Sequence, residues 1–91
     1  MSDKLEIYIN DESFLLDAFD AVAIAEGFEE ADSHEQRLAA WQYLELTGIT
    51  STLQGFFGRG VEALVRDDHI LSAAAYKAQY AIVEVVEHED A

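Results

Sequence analysis

The chain has 91 residues, enough for about one small domain, and carries nineteen acidic and five basic side chains for a formal net charge of −14. This charge excludes nucleic-acid binding through an electropositive surface, because phosphate contacts need Lys and Arg, and it excludes a polybasic membrane anchor. Because 51% of the residues are hydrophobic, the chain should fold rather than remain an acidic disordered tail.

The residue types that are absent narrow the class further. The sequence contains no cysteine, which excludes disulfides, thiolate zinc sites and thiol nucleophiles. It has no run approaching the ~20 apolar residues needed to span a bilayer, and its first residues lack the layout of a secretory signal. We therefore expect a cytoplasmic protein without membrane contact and without a cofactor.

Charge is unevenly distributed along the single expected domain, 1–91. The flanks 1–35 and 67–91 have net charges of −10 and −5, whereas 36–66 has a net charge of +1. One interpretation is that the middle forms the core, approximated by 38–66, and the flanks are solvated faces. The other is that the flanks form one continuous anionic surface for a basic partner.

The N-terminal third predicts a short strand followed by a helix. Alternation of apolar and polar residues over 5–10 is typical of a half-buried strand. Asn10 and Asp11 are candidate N-caps for a helix over 14–26, and Gly27 follows where a left-handed C-cap is expected. The apolar residues that recur at helical spacing in this segment are Leu15, Ala18, Phe19 and Val22.

The next helix is predicted to begin near Ser33, which stands three residues before Gln36 as in a capping box, and to end at Gly48. This helix is apolar on nearly every side, so it should be buried by neighbours all round. In so small a domain that burial suggests self-association, and we expect a homo-oligomer. Its apolar residues are Leu38, Ala39, Ala40, Trp41, Tyr43, Leu44 and Leu46.

Two more helices complete the prediction. One covers about 52–66, capped by Thr50 or Ser51, although three glycines in it each oppose helix formation by ~1 kcal/mol. The other covers 72–87, where a helix is favoured over a strand at 80–86. The expected fold is mainly α, a small bundle of about four helices with a possible N-terminal strand.

The glycine-rich segment 54–60 is the most unusual stretch. Glycines beside Arg59 could cradle a phosphate, but the order of residues matches no phosphate-binding motif, and the alternative is tight helix packing. The histidines next to acids, at 34, 69 and 88, have no recognised metal-ligand spacing, and no serine has a nucleophile context. Catalysis therefore has no support in the sequence, and we predict no enzyme and no metal site.

The stretch Ala-Trp-Gln-Tyr-Leu-Glu-Leu-Thr-Gly at 40–48, followed by Leu-Gln-Gly-Phe-Phe-Gly-Arg at 53–59, resembles a motif of small bacteriophage-encoded proteins. The similarity covers roughly a quarter to a third of the chain. Ser51, Thr52 and Gly60 depart from the family's pattern. The family has no assigned function, so the resemblance implies a phage origin and no reaction.

The function expected from these features is binding of a host protein, basic or nucleic-acid-binding, with inhibition or DNA mimicry as specific forms and without direct nucleic-acid contact. The aromatic residues of 41–57 are more typical of a core, and they would anchor an interface if they are exposed. The alternatives are a small-ligand or metal-binding module built on 54–60, and a purely structural homo-oligomeric subunit. The candidate interaction residues are Trp41, Gln42, Gln54, Phe56, Arg59, Asp17, Asp20, Glu29 and Glu30.

Overall fold

A computed structural model describes residues 3–27, 29–49 and 55–86. Within these residues the fold is mainly helical, as expected, and it also contains a three-stranded antiparallel sheet. The elements in chain order are β1 (Asp3–Ile9), β2 (Glu12–Leu16), α1 (Ala18–Glu26), α2 (His34–Thr47), α3 (Gly55–Arg66), α4 (Ala73–Gln79) and β3 (Val83–Val86).

The sheet has the strand order β2-β1-β3, with β1 in the centre. The predicted N-terminal strand is confirmed as β1, and it forms a hairpin with β2 in which Ile9 faces Glu12. Asn10, in the turn of this hairpin, has φ 56°, a left-handed conformation that asparagine tolerates better than most residues. Asn10 and Asp11 therefore turn the chain between strands instead of capping a helix.

The predicted helix over 14–26 is wrong in its first residues, which belong to β2. The helix α1 begins at Ala18, and Asp17 is its N-cap, accepting a hydrogen bond from the Asp20 amide at 2.8 Å. Gly27 is confirmed as the left-handed C-cap, with φ 87°. The buried residues of α1 are Ala21, Ala23 and Ile24, whereas Phe19 of the predicted stripe is exposed and Val22 is partly buried.

The predicted helix over 72–87 is also wrong in its second half. Ser72 caps α4, which ends at Gln79, and Tyr80 is already extended with φ −130° and ψ 146°. The chain then forms β3, whose Val83 and Val86 lie opposite Glu6 and Asp3 of β1. Three of the four residues of β3 are valines, which favour the strand conformation.

The helix α2 is the centre of the core and matches its prediction. Its N-cap is Ser33, whose Oγ accepts from the Gln36 amide at 3.0 Å, and its C-cap is Gly48 with φ 71°. Other elements of the same chain, the sheet and the three other helices, pack around it. Its apolar surface therefore does not require a second copy of the chain. The buried residues of α2 are Leu38, Ala39, Ala40, Trp41, Gln42, Tyr43 and Leu44.

The helix α3 buries the predicted stripe that includes Phe57 and Val61 and exposes Arg59 and Glu62 on its other side. It ends at Arg66, as the acidic residues that follow predicted. The candidate N-caps at 50 and 51 lie outside the described residues. Among the described helices, none combines the length and the apolar character needed to cross a bilayer.

Candidate protein-interaction surface

Trp41, a candidate interaction residue, lies in the core. Its ring packs at a tilt against Phe57, with 6.1 Å between the ring centroids. It also lies so close to Gly60 that a Cβ built there would be 2.8 Å from two carbons of the indole. The glycine therefore allows α3 to approach α2 across the indole ring. Trp41 serves packing, the alternative that the sequence left open.

Gln42 is 1% exposed and holds the segment before α4 against α2. Its Nε2 donates to the Leu71 carbonyl at 2.8 Å, and its Oε1 accepts from the Leu71 amide at 2.9 Å. One turn later, Glu45 Oε2 accepts from the amide of Ala73, the first residue of α4, at 2.8 Å. Both polar groups of the Gln42 side-chain amide have hydrogen-bond partners within the chain, so the role of Gln42 is to hold the fold together rather than to contact a partner.

The glycine-rich segment is helical from Gly55 onward. Arg59 is exposed on this helix, and its Nη1 would be 3.0 Å from a Cβ at Gly55. Gln54 and the side chain of Phe56 lie outside the described part of the chain. A helix over Gly55–Gly60 differs from the open loop that a phosphate cradle of successive backbone amides requires.

The four acidic candidates lie at the two ends of α1. At its beginning, Asp17 caps the helix and Asp20 forms an ion pair with Lys4, with 3.6 Å between Nζ and Oδ2. Just beyond its end, Glu29 and Glu30 are exposed. The amide of Glu29 donates to the Ala23 carbonyl at 3.2 Å, which folds the chain back onto the helix.

The carboxylates at the beginning of α1 also influence α2. Burial raises the pKa of the Tyr43 phenol above its ordinary value of 10.0, and the negative charges of Asp17 and Asp20 raise it further. A negative neighbour disfavours the phenolate because it would add a second negative charge nearby. The N-terminal end of α1, with Asp17 and Asp20, thus lies near the buried Tyr43 of α2.

Between these acidic ends, α1 has an exposed apolar side. Phe19 is 74% exposed, the most exposed large hydrophobic residue of the described chain. Together with Val22 it borders a shallow cavity of about 370 Å³ whose lining is almost entirely apolar. The full lining is Ala18, Phe19, Val22, Ala23 and Glu26.

A second, more polar cavity of about 180 Å³ lies between the β1–β2 turn, the loop before α4 and the end of α4. Tyr8 and Tyr80 stack there, with 5.3 Å between centroids and 9° between ring planes. Gln42 also lines this cavity, but both polar groups of its side chain are hydrogen-bonded to Leu71. The described residues contain no group of three or more His, Cys, Asp or Glu side chains that could hold a metal ion.

Phe19 is the feature that the sequence pattern does not identify. Its spacing with Ala18 and Val22 predicts a buried stripe, whereas the structure exposes Ala18 and Phe19 and buries Val22 only in part. The most deeply buried positions of this helix are Ala21 and Ile24. A usable signal was the second apolar stripe on the same helix, since a surface helix normally needs only one.

Comparison of the chain with protein-family models, with curated proteins and with solved structures finds no match.

Proposed function

We propose that this chain is a small non-enzymatic protein that binds a basic, nucleic-acid-binding protein of the host cell by presenting carboxylates where its partner normally meets phosphates. The observation that carries this proposal is the acidic surface of α1 and the connector after it. Residues 17–32 contain six acids and no basic residue, and four of the six carboxylates, at 26, 29, 30 and 32, are exposed.

The physical reason is that like charges on one surface produce a field that attracts a partner of opposite charge. Such a field accelerates association and suppresses partners of the same sign, and it weakens as salt is added. Lys4 compensates only part of this charge, through Asp20 at the beginning of α1. Glu29 and Glu30 have no basic residue within the same connector, so they are the carboxylates best placed to meet a partner.

Two sequence features support the type of partner. A net charge of −14 on 91 residues favours partners that are themselves strongly basic. Nucleic-acid-binding proteins are such partners, because they contact phosphates through Lys and Arg. The motif at 40–59 that resembles phage-encoded proteins supports a host protein as the target.

The test begins with capture from host lysate on the immobilised protein at low salt. The expected result is a basic, nucleic-acid-binding protein that is released by added salt and, after purification, is displaced from this chain by duplex DNA. Displacement by DNA is the decisive observation, because it shows that both ligands use the same surface of the partner.

A matched pair of variants controls for net charge. E29Q/E30Q and E62Q/D68N each remove two exposed carboxylates, so each changes −14 to −12. We expect the first pair to weaken binding several-fold more than the second. Equal weakening would mean that only total charge matters, and recovery of no basic protein at low salt would remove the proposal.

A further inference from the structure

We infer that the exposed apolar side of α1 is the docking surface for this partner, and that its occupant is an amphipathic basic segment with an apolar side chain between lysines or arginines. This inference depends on the proposed function and adds to it the location of contact. Its centre is Phe19 with Val22, and its borders are the acidic residues at both ends of the helix.

The apolar part of the surface is contiguous. The exposed Ala18 and Phe19 and the partly buried Val22 lie at helical spacing on one side of α1. They line the cavity of about 370 Å³ together with Ala23, which is buried. An aromatic side chain that is 74% exposed retains most of the area that it could bury against a partner. Aromatic residues in such positions commonly dominate the energy of an interface.

The surface is also held in place before any partner arrives. On the opposite side of the helix, Ala21 is fully buried and Ile24 is 3% exposed. The two ends are capped by Asp17 and Gly27. A helix that is anchored in this way loses little conformational freedom on binding, which favours affinity.

Charge decides which occupant fits. Glu26 lines the cavity itself, and Asp20, Glu29 and Glu30 lie close to it along the chain. A second copy would bring another chain of −14 against the first, and its own α1 would place carboxylates against carboxylates. A partner segment with cations on both sides of its apolar residue would instead pair its charges with these carboxylates while its apolar residue covers Phe19.

The experiment uses two synthetic probe peptides of roughly 14 residues, long enough to form a helix of several turns. One has leucines along one face and lysines elsewhere, and the other has serine at each leucine position, so the two have the same charge. Binding of both to the full chain is measured by titration at low salt, and NMR amide shifts of the chain locate the contact.

Variants test the role of the aromatic side chain. Phe19→Ser removes the centre of the surface, and because Phe19 is 74% exposed the fold should be retained, which circular dichroism checks. Ile82→Ser is the matched control, since Ile82 is also an exposed large hydrophobic residue, at 45%, but lies just before β3.

We expect the leucine peptide to bind about tenfold more tightly than the serine peptide, the difference that a single interface anchor commonly makes. The largest shifts should lie at 18–26, and Phe19→Ser but not Ile82→Ser should abolish the difference. Equal binding of the two peptides, or shifts centred elsewhere, would overturn the docking surface but leave the proposed function intact.

Two other results would also decide the matter. If neither peptide binds at low salt, both the docking surface and the proposed attraction of basic partners are overturned. If light scattering shows a dimer of the chain alone that Phe19→Ser dissociates, the occupant is a second copy, and the inference of a basic segment is wrong.

Discussion

Gln42 and Leu71 form a reciprocal pair in which a side-chain amide bonds to both backbone groups of one residue. Gln42 Nε2 donates to the Leu71 carbonyl at 2.8 Å, and Gln42 Oε1 accepts from the Leu71 amide at 2.9 Å. The side chain thus bonds to both backbone groups of Leu71, as the backbone of a neighbouring β-strand would. Because Gln42 is 1% exposed, its side-chain amide depends on Leu71 rather than on bulk water for its hydrogen bonds. The pair joins α2 to a segment 29 residues away in sequence.

We predict that Gln42→Leu destabilises the protein by about 3 kcal/mol. Leucine is similar in size but leaves the amide and carbonyl of Leu71 without partners, and a buried polar group without a partner costs ~1–3 kcal/mol. Urea unfolding measures the change. A cost below about 1 kcal/mol would mean that water reaches Leu71 in the variant.

Gly58 and Gly60 of α3 offer a matched test of packing, because alanine should have opposite effects at the two positions. At Gly58 a Cβ would have no heavy atom within 4 Å, so Gly58→Ala should stabilise the helix by up to ~1 kcal/mol. At Gly60 the Cβ would be 2.8 Å from the Trp41 ring. Because that ring is held by Phe57, overpacking of ~1–3 kcal/mol should exceed the helical gain.

Thermal or urea unfolding of the two alanine variants measures this difference. The prediction is contradicted if both variants are stabilised, since the indole would then have moved aside at little cost. The Trp41→Phe background provides the control. The smaller ring lowers stability by itself, but it should relieve the contact, so Gly60→Ala should cost less in that background than in the unchanged chain.

Tyr76 supplies a hydrogen bond at the edge of the sheet that β3 does not reach. Its hydroxyl accepts from the Tyr8 amide at 2.9 Å, and β3 pairs with β1 only as far as Glu6. Tyr76→Phe should therefore cost about 1–2 kcal/mol and accelerate hydrogen exchange of the Tyr8 amide. Tyr80→Phe is the control, because its hydroxyl accepts an exposed bond from Gln79 and its loss should cost ~0.5 kcal/mol or less.

The features that local chemistry decides are the ones that the sequence predicts well. Gly27 and Gly48 end their helices in the left-handed conformation, and Ser33 caps α2. The apolar residues that surround the polar Gln42 within 38–44 correctly indicate burial on nearly every side of this helix. The inference of self-association from that burial does not follow, because elements of one chain already enclose the helix; homo-oligomerisation itself stays a prediction.

The features that long-range pairing decides are the ones that the sequence does not predict. Phe14–Leu16 has helical spacing, yet it pairs with β1, and Val83–Val86 becomes a strand because β1 has a second edge to fill. The sequence identifies Gln42 only as a candidate interaction residue, and the fold shows that its partner is Leu71. The exposure of Phe19 is likewise decided by how α1 packs in the fold, because Ala21 and Ile24 occupy the buried positions of the helix.

Alkaline pH should destabilise the fold through two tyrosines. Burial raises the pKa of Tyr76 and Tyr43 above the ordinary 10.0 in the folded chain, and the bond from Tyr8 opposes this only in part for Tyr76. As the pH rises, the unfolded chain then loses these phenol protons before the folded chain does. The stabilising contribution of the two phenols is therefore complete below pH 10.0 and disappears as the pH rises through their pKa values in the folded chain.

The measurement is the free energy of unfolding in urea at neutral pH and in steps above pH 10.0. We expect the double variant Tyr43→Phe/Tyr76→Phe to lose less stability than the unchanged chain as the pH is raised above 10.0. Its free energy of unfolding at neutral pH should be lower, because the hydrogen bond from the Tyr8 amide to the Tyr76 hydroxyl is absent. The variant retains every lysine, so a difference in slope belongs to the tyrosines. Equal slopes would show that neither phenol stays protonated longer in the folded state.

The charge of −14 should make stability depend on salt. Nineteen carboxylates against five cations repel one another more in the compact chain than in the unfolded one. Raising ionic strength from about 0.01 M to about 0.5 M shortens the screening length from roughly 30 Å to a few ångströms. We therefore expect the free energy of unfolding in urea, a denaturant that adds no ions, to rise by about 1 kcal/mol.

The E29Q/E30Q variant connects this prediction with the proposed interaction surface. If repulsion is concentrated around α1, removing these two charges should stabilise the protein at low salt more than E62Q/D68N does, and the difference should disappear at high salt. A residue kept for binding at a cost in stability is common at functional surfaces. Equal effects of the two variants would show that the repulsion is spread over the whole molecule, with no excess at α1.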